Sequence, residues 1–281
     1  MFGTEFSKHP EILLDSFKDM SHEYQKKIKK QKKSNPSLLL QKAYIRIFGI
    51  PEIGFQIRSM FFKEIIIEKM RLKPKKILDA GSGIGVYAIW AKKNFPKAEV
   101  VGCEIDKNKL DFSQKFAEEL ELEKLNFVYG DITKKNPLDN VYDLIINIDV
   151  LEHIKDYKKV LKNFYSALLP KGYLYIHTPQ PKQKRLFKNL EKWHHEDHVH
   201  EGFEPIELRQ ELEKLGFKII LVRETFGFFG KLSWELNHIF LSKNFILSGL
   251  TYPILIAISQ LDLFFPNRNG LGTALLLQKK E

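Results

Sequence analysis

The sequence predicts an α/β protein built on a seven-stranded, doubly wound sheet, and three observations lead to this class. From residue 76 onward the sequence contains seven short apolar runs, and helix-like segments separate the first five of them. A glycine-rich turn follows the first run, where a strand passes into a helix in a doubly wound sheet. The 281 residues are 43% hydrophobic and 28% charged, which excludes disordered, collagen-like and simple coiled-coil classes. We therefore expect a mostly parallel sheet with helices on both faces.

Residues 1–70 are expected to form a helical N-terminal extension. Apolar side chains recur at every third or fourth position between residues 10 and 33, which is the period of an amphipathic helix. Two further helical stretches, 37–48 and 52–71, follow a break at Asn35-Pro36. Six lysines occupy the second half of the first helix, where they complement the helix dipole; a phosphate or anionic-lipid contact is the alternative.

The predicted core, residues 71–224, alternates strands and helices in chain order. Helical patterns lie near 84–94, 107–121 and 156–169, and residues 205–215 lead into the sixth strand. Strands that alternate with helices in this way are typical of βαβ units. The seven predicted strands are Lys76–Asp79, Glu99–Cys103, Asn126–Tyr129, Tyr142–Ile148, Tyr173–His177, Lys218–Val222 and Thr273–Leu277.

An apolar insertion, residues 225–270, separates the sixth strand from the segment 271–281 that holds the last core strand. It contains an uncharged run of 18 residues, Asn244–Leu261, at the lower limit for a membrane span. Pro253 disfavours a span, and so does a last strand that has to rejoin the same sheet. We expect a helical cap over the active site. An interfacial membrane contact is the alternative, since aromatic residues cluster near Lys231.

The distribution of charge and the single cysteine exclude or disfavour further classes of protein. The net charge is +10, of which residues 1–75 carry +8, whereas residues 76–224 are neutral by count. The surplus therefore belongs to the N-terminal extension, which disfavours a polyanion-binding fold. The single cysteine, Cys103, excludes an internal disulfide and a multi-cysteine zinc site. No export signal is readable, so we expect a cytoplasmic protein, with membrane association left open.

The strongest motif is a nucleoside-binding turn. Gly81, Gly83 and Gly85 follow Asp79 at the end of the first strand, where missing Cβ atoms let the backbone approach a ligand. Glu104 ends the next strand 19 residues after Gly85, a spacing that suits hydrogen bonds to ribose hydroxyls. An acid directly before the glycines favours a cationic ligand over a dinucleotide, because a carboxylate repels a pyrophosphate.

At these residues the chain resembles the class I S-adenosylmethionine-dependent methyltransferases, in particular those that act on small molecules and lipid precursors. The resemblance covers about residues 70–224 and consists of five motifs in the order of the family. It implies a Rossmann-like sheet with an antiparallel last strand, and S-adenosylmethionine as the cofactor. The motifs lie at 78–85, 101–106, 129–132, 142–154 and 168–179.

The resemblance also implies which residues bind the cofactor. Glu104 would hold the ribose, Ile105 would pack on the adenine, and Asp131 would meet the adenine amine. Asn147 lies where the fourth strand would border the methyl donor. The full implied set is Asp79, Gly81, Gly83, Gly85, Glu104, Ile105, Asp131, Ile132 and Asn147.

Histidines in two places are candidates for a general base. Residues 193–201 carry four histidines and three acids. His198 or His200 could take the proton of a substrate hydroxyl, because imidazole titrates near neutrality. His153, in a Leu-Glu-His sequence after the fourth strand, is the third candidate. A role in packing or at the surface is the alternative for all three.

A metal site is not expected. Asp149, Glu152 and His153 occupy a neighbourhood that holds a divalent metal in some related quinone-precursor enzymes. The histidine-rich segment has the right residue types for zinc, but it lacks the helical His-Glu-x-x-His spacing. We therefore assign no residue to a metal.

The expected function is methyl transfer from S-adenosylmethionine to a hydroxyl of a small-molecule, lipid-linked or cell-envelope precursor. An anionic membrane surface is a candidate partner. Two alternatives stay open: an RNA methyltransferase that uses the basic N-terminal region, and a non-catalytic S-adenosylmethionine-binding protein at a membrane. Nucleic acid is disfavoured as a partner because no RNA-binding module or aromatic-interleaved basic strand is readable.

Overall fold

A computed structural model of the chain describes residues 3–10, 38–134, 141–190 and 198–281. Within these ranges the chain forms a seven-stranded sheet. The strands are β1 (Lys76–Ala80), β2 (Glu99–Glu104), β3 (Leu125–Tyr129), β4 (Tyr142–Ile148), β5 (Leu168–Pro179), β6 (Phe217–Thr225) and β7 (Gly272–Lys279). The helices are α1 (Leu38–Phe48), α2 (Ile53–Lys63), α3 (Val86–Asn94), α4 (Lys107–Glu119), α5 (Tyr157–Ala167), α6 (Pro205–Lys214), α7 (Phe228–Lys243) and α8 (Phe245–Ser259).

The sheet has the order β3-β2-β1-β4-β5-β7-β6. The strands β1 to β5 pair in parallel, and β7 is antiparallel to β5, with Tyr175 opposite Leu276. The predicted Rossmann-like class with an antiparallel last strand is confirmed. Strand order reverses at β1, which lies between β2 and β4. Ligands of open α/β sheets bind at the carboxyl ends of strands at such a point.

The fifth strand is longer than predicted. The predicted helix 156–169 ends at Ala167, because Leu168 already has extended backbone angles and pairs with Tyr142 of β4. The register between β4 and β5 then shifts before Leu144. Lys171 has a positive φ of +63° at this irregularity, which is a feature that apolar periodicity does not reveal.

Two predicted helices differ from, or lie outside, what the structure describes. The stretch 52–71 is not one continuous α-helix: α2 ends at Lys63, and Glu64–Lys69 continues as a π-helical turn. The helix predicted over 10–33 lies, beyond Pro10, outside the described residues.

The chain divides into two compact units, which we call the sheet unit and the helical unit. The sheet unit holds the strands and helices α3 to α6, and the helical unit holds α1, α2, α7 and α8. The sheet unit comprises Ile65–Pro181, Val199–Arg223 and Gly272–Glu281; the helical unit comprises Met1–Glu64, Lys182–His198 and Glu224–Leu271.

The sheet unit has a core of aliphatic and aromatic side chains between the sheet and its helices. Ile145 of β4, Phe164 of α5 and Leu275 of β7 are completely buried in it. Asp143 stabilises the sheet at its amino-terminal edge, since one carboxylate oxygen accepts hydrogen bonds from the backbone N–H groups of Lys75 and Lys76 at 2.9 and 2.8 Å. This arrangement fixes β1 beside β4.

The helical unit has its own core, which includes Trp234 of α7 and Tyr252 of α8. One of its buried acids, Glu235, is hydrogen-bonded to backbone groups. The Glu235 carboxylate accepts hydrogen bonds from the backbone N–H groups of Leu186 and Phe187, all at 2.9 Å. One stretch, Ile246–Leu263, is long and apolar enough by length and composition to cross a membrane, and a third of it is buried.

Candidate active site

The glycine-rich turn lies between β1 and α3, at the carboxyl edge of the sheet. Gly81, Gly83 and Gly85 have φ values of +81°, +56° and +80°, which side-chain-bearing residues rarely adopt. A Cβ atom on Gly81 would lie 2.6 Å from the side chain of Val150, and one on Gly85 would lie 2.6 Å from Phe127. These two glycines are therefore required by packing. A Cβ atom on Gly83 would meet nothing within 4 Å, so the backbone there borders open space.

The carboxylate of Glu104 lies directly against this turn. Its Oε2 accepts a hydrogen bond from the backbone N–H of Gly83 at 2.7 Å. Its Oε1 accepts from the N–H groups of Ile105 and Asp106, both at 2.9 Å. The residue is buried, yet a carboxylate offers about four acceptor positions, so Oε2 retains one for a further donor such as a hydroxyl.

Asp79 provides a buried negative charge at the end of β1. The carboxylate accepts one hydrogen bond from the backbone N–H of Ala88 in α3. Its Oδ2, however, has no hydrogen-bond partner among the described residues. Burial raises the pKa of Asp79 to about 7, and the neighbouring Glu104 charge adds to the rise. A cation beside this carboxylate would restore its charged form. The ammonium and sulfonium of S-adenosylmethionine match that need, so the chemistry of this turn fits the cofactor.

Asp131 follows β3 and is held in its ionised form. A hydrogen bond from the Thr133 hydroxyl to its Oδ1, at 2.6 Å, is the main reason that the pKa of Asp131 lies below its usual range. The backbone N–H of Thr133 donates to the same oxygen at 2.9 Å. An ionised carboxylate with partly exposed atoms can accept a hydrogen bond from an amine.

The two isoleucines in the expected adenine region differ in exposure. Ile105 is 57% exposed and offers apolar surface beside Glu104. Ile132 is buried in the core of the sheet unit, and its backbone carbonyl accepts a hydrogen bond from Asn163 at 3.0 Å. Ile105 can therefore cover a flat ring, whereas Ile132 supports the loop from within.

Asn147 stabilises the backbone next to the glycine-rich turn. Its side chain is completely buried, and its amide nitrogen donates to the backbone carbonyl of Ala80 at 2.8 Å. Ala80 precedes Gly81, so this bond fixes the point at which β1 leaves the sheet.

The histidines predicted as bases lie in different settings. His200 is held by its surroundings: its Nε2 lies 3.2 Å from the backbone carbonyl of Ile154, and its ring packs edge-on against Tyr157. His153 is exposed at the end of a short 3-10 turn, Leu151–His153. His198 is the last residue of a segment of the helical unit. Residues 193–197 of the histidine-rich segment lie outside the described residues.

A carboxylate–imidazole pair that the sequence did not single out lies at the carboxyl edge of the sheet. The Oδ1 of Asp149 is 2.5 Å from Nδ1 of His177. The backbone N–H of Asp149 also donates to the carbonyl of His177 at 3.0 Å, which locks the ends of β4 and β5 together. Asp149 is a non-glycine residue with φ +52°, and such outliers persist where the surroundings enforce them, often at functional sites.

One signal for this pair was available in the sequence. His177 ends the predicted fifth strand and Asp149 directly follows the predicted fourth, and the register places Ile148 opposite His177. Both residues lie within motifs shared with the family.

Comparison with known proteins agrees with this geometry. The family model described as a methyltransferase domain matches residues 59–222, more than half of the chain. Phosphoethanolamine N-methyltransferase 3 of Arabidopsis thaliana is 32% identical over 137 residues, which are 47% of this chain and 26% of that enzyme. The chain thus spans about a quarter of the length of this relative.

Solved structures share the fold at low identity. A phosphoethanolamine N-methyltransferase of Haemonchus contortus, in complex with phosphomonomethylethanolamine and S-adenosylhomocysteine, has a TM-score of 0.59 at 20% identity and covers 85% of this chain and 57% of its own. The cyclase SpnF has a TM-score of 0.57 at 14% identity, covering 79% and 82%. The family match over residues 59–222, together with the glycine turn and Glu104, shows that the chain belongs to the class I S-adenosylmethionine-dependent methyltransferase family.

Proposed function

We propose that this protein transfers a methyl group from S-adenosylmethionine to a hydroxyl of a small-molecule or lipid-linked acceptor. The observation that carries the cofactor assignment is the contact between the Gly83 backbone and the Glu104 carboxylate beside open space. The acceptor class rests on a second observation, the Asp149–His177 pair at the same edge of the sheet.

The cofactor residues divide by chemistry. Asp79 would face the cationic methionine end of the cofactor, Glu104 would accept a hydrogen bond from a ribose hydroxyl, and Ile105 with Asp131 would receive the adenine. When bound, S-adenosylmethionine supplies an electrophilic methyl group on a sulfonium whose sulfur leaves with the electrons of the broken C–S bond. The chain itself contributes alignment and exclusion of water, which are the main needs of an in-line displacement.

The Asp149–His177 pair can take the proton that a hydroxyl acceptor must lose. With Asp149 ionised, Nδ1 of His177 donates to the carboxylate, and the pair can accept a proton and pass it to water. The acceptor oxygen keeps its electron pair and uses it for the new C–O bond. The Asp149 side chain is 27% exposed, whereas that of His177 is 2% exposed, so Asp149 is the member that an acceptor would meet.

His200 suits this role less well. Its Nε2 donates to the Ile154 carbonyl, which leaves only Nδ1 to accept a proton, and the packing of the ring against Tyr157 fixes its direction. We infer that His200 orients the segment after Glu152, whose carbonyl accepts the backbone N–H groups of Val199 and His200 at 2.9 and 3.0 Å.

N-methylation is the second candidate, and the names of the relatives favour it. The plant relative is named as an N-methyltransferase, and an amine needs no base once it is neutral.

The cofactor assignment is tested by calorimetry of S-adenosylmethionine binding to the full chain. Gly83→Arg should abolish binding because it fills the space beside the turn. Gly83→Ala is the matched control: it imposes the same backbone strain but adds a Cβ atom that meets nothing, so it should retain most of the affinity. Equal affinities for wild type and Gly83→Arg would contradict the assignment.

The reaction class is tested with a labelled methyl donor and fractionated cell extract. Transfer by wild type and none by Gly83→Arg would separate an enzyme from a binding protein. Fragmentation of the labelled product then locates the methyl group on oxygen or on nitrogen. A product methylated only on nitrogen would contradict the hydroxyl assignment while leaving the cofactor assignment intact.

A further inference from the structure

The helical unit carries an exposed apolar face. Large apolar side chains of leucine, isoleucine and phenylalanine are exposed along α8, on the 3-10 turn that follows it and directly after that turn. Leu250 is 71% exposed, Ile254 62% and Phe264 80%. We call this set the apolar face; it consists of Ile246, Leu247, Leu250, Ile254, Leu261, Phe264 and Phe265.

The opposite side of the same helix is fixed in the protein. Tyr252, Leu255 and Ile256 are buried in the core of the helical unit. The Tyr252 hydroxyl donates to the backbone carbonyl of Ile50 at 2.5 Å. The buried Asp262 carboxylate accepts from the backbone N–H groups of Phe229 and Gly230. These bonds would break if α8 crossed a bilayer, so the helix can meet lipid on one face only.

Helix α1 extends the same type of surface beside α8. The Tyr44 hydroxyl donates to the backbone carbonyl of Gly249 at 2.6 Å, which ties the two helices together. Leu39, Leu40 and Ile47 of α1 are also exposed.

The exposed charges on the segments that carry these apolar side chains are cations. Lys42 and Arg46 on α1, Lys243 at the end of α7 and Arg268 after the 3-10 turn are exposed. In the sequence of residues 38–48 and 243–270 the only acid is Asp262, and it is buried.

We propose that the apolar face docks the protein on the surface of an anionic lipid bilayer. Apolar and aromatic side chains of an interfacial helix enter the boundary between head groups and acyl chains, while cations at the rim meet anionic head groups. Phe264 and Phe265, which follow the last turn, can enter the same boundary with their apolar rings.

A second copy of the chain fits this surface poorly. A symmetric dimer would bring the same four cations together, and like charges across an interface oppose association. An anionic bilayer offers a boundary region that buries the apolar residues and head groups that bind the cations. Docking does not depend on the proposed methyl transfer, although it would hold the protein where amphiphilic acceptors are concentrated.

Vesicle flotation of the full chain tests docking, without any cofactor. Wild type should float with vesicles of phosphatidylcholine mixed with phosphatidylglycerol, and much less with phosphatidylcholine alone. The double variant Leu250→Glu/Ile254→Glu should bind at least about tenfold more weakly, since two aliphatic side chains that would enter the bilayer are lost from the contact. Charge reversal by Lys243→Glu/Arg268→Glu should weaken binding and reduce its salt dependence.

The matched control is Ile206→Glu on α6, which places the same charge at an apolar site that is 70% exposed and lies in the sheet unit. It should float like wild type. Circular dichroism and thermal unfolding establish that each variant is folded.

Three outcomes would overturn the proposal. Wild type that stays with the soluble fraction has no such contact. Undiminished flotation of Leu250→Glu/Ile254→Glu would assign binding to another part of the chain, such as the lysines at 26–33. A concentration-dependent dimer that this double variant disrupts, without vesicle binding by wild type, would assign the face to a second copy.

Discussion

The backbone N–H of Gly83 donates a hydrogen bond of 2.7 Å to the carboxylate of Glu104, 21 residues further along the chain. This bond joins the turn after β1 to the end of β2, and it places a fixed negative charge next to the glycine whose missing Cβ leaves open space. The first prediction follows from it.

Replacing Glu104 by Gln should weaken S-adenosylmethionine binding about 10- to 100-fold, because hydrogen bonds to a charged acceptor contribute about 1.5–3 kcal/mol. Gln keeps the size of the side chain but removes its charge. Calorimetry gives the affinity, and Glu99→Gln at the exposed start of β2 is the matched control. Unchanged affinity in Glu104→Gln would remove Glu104 from the cofactor site.

The raised pKa of Asp79 predicts opposite pH trends for binding and for stability. Its folded pKa of about 7 exceeds the ordinary value of 3.8, so stability of the cofactor-free protein should fall as pH rises from about 4 to about 7. Affinity for the cationic cofactor should rise over the upper part of that window as the carboxylate forms.

The variant Asp79→Asn tests this prediction. It should remove the contribution of Asp79 to the pH dependence of stability and to the pH dependence of cofactor affinity. Denaturant unfolding and calorimetry at a series of pH values measure them. A wild type whose cofactor affinity is constant between pH 5 and pH 8, or an Asp79→Asn variant with unaltered pH trends, would show that Asp79 does not respond to the cofactor charge.

Loss of the carboxylate at Asp149 should lower the turnover number and leave cofactor affinity unchanged. General-base removal typically costs about 10²–10⁴ in rate. In Asp149→Asn the loss of rate should be confined to hydroxyl acceptors, which a purely structural role would not produce. His177→Gln should show a smaller effect of the same kind, because it acts through Asp149. An amine acceptor supplied above its own pKa should be methylated at nearly the wild-type rate.

Two glycines in the same turn should differ in their structural importance. Gly81→Ala combines a positive φ with a Cβ 2.6 Å from Val150, so it should destabilise the protein by about 2–4 kcal/mol. Gly83→Ala carries only the strain of its backbone angle and should cost about 1–2 kcal/mol. Denaturant unfolding measures both. Equal losses of stability would mean that packing against Val150 relaxes freely.

The sheet could be predicted because its strands are short apolar runs punctuated by turn residues, and because the glycine turn and Glu104 stand at a spacing that reveals the first two strands. The predicted β4 has the bounds observed. The limits of β5 could not be predicted, since Leu168 leaves α5 to pair with Tyr142 through a tertiary contact that no local pattern reports.

The site was predictable in part for similar reasons. Asp79 and Gly83 lie in the first family motif and Glu104 lies in the second. All three residues meet at one edge of the sheet. The Asp149–His177 pair could not be predicted from a local pattern, because the two residues are 28 positions apart and meet only when β4 and β5 come into register. The composition of the histidine-rich segment indicates a possible base, but Nε2 of His200 is engaged in a hydrogen bond to the Ile154 carbonyl. Composition identifies residue types that can do chemistry, but only packing shows which of their atoms are engaged.

We propose that this chain methylates an acceptor with S-adenosylmethionine bound at the Gly83–Glu104 turn. The most direct measurement is mass spectrometry of cell extract incubated with purified full chain and a trideuteromethyl-labelled donor. We predict a product that carries the mass increment of one trideuteromethyl group with wild type and Gly83→Ala, and no such product with Gly83→Arg. A labelled product that forms equally with Gly83→Arg, or a wild type that binds the donor yet labels nothing, would contradict the account.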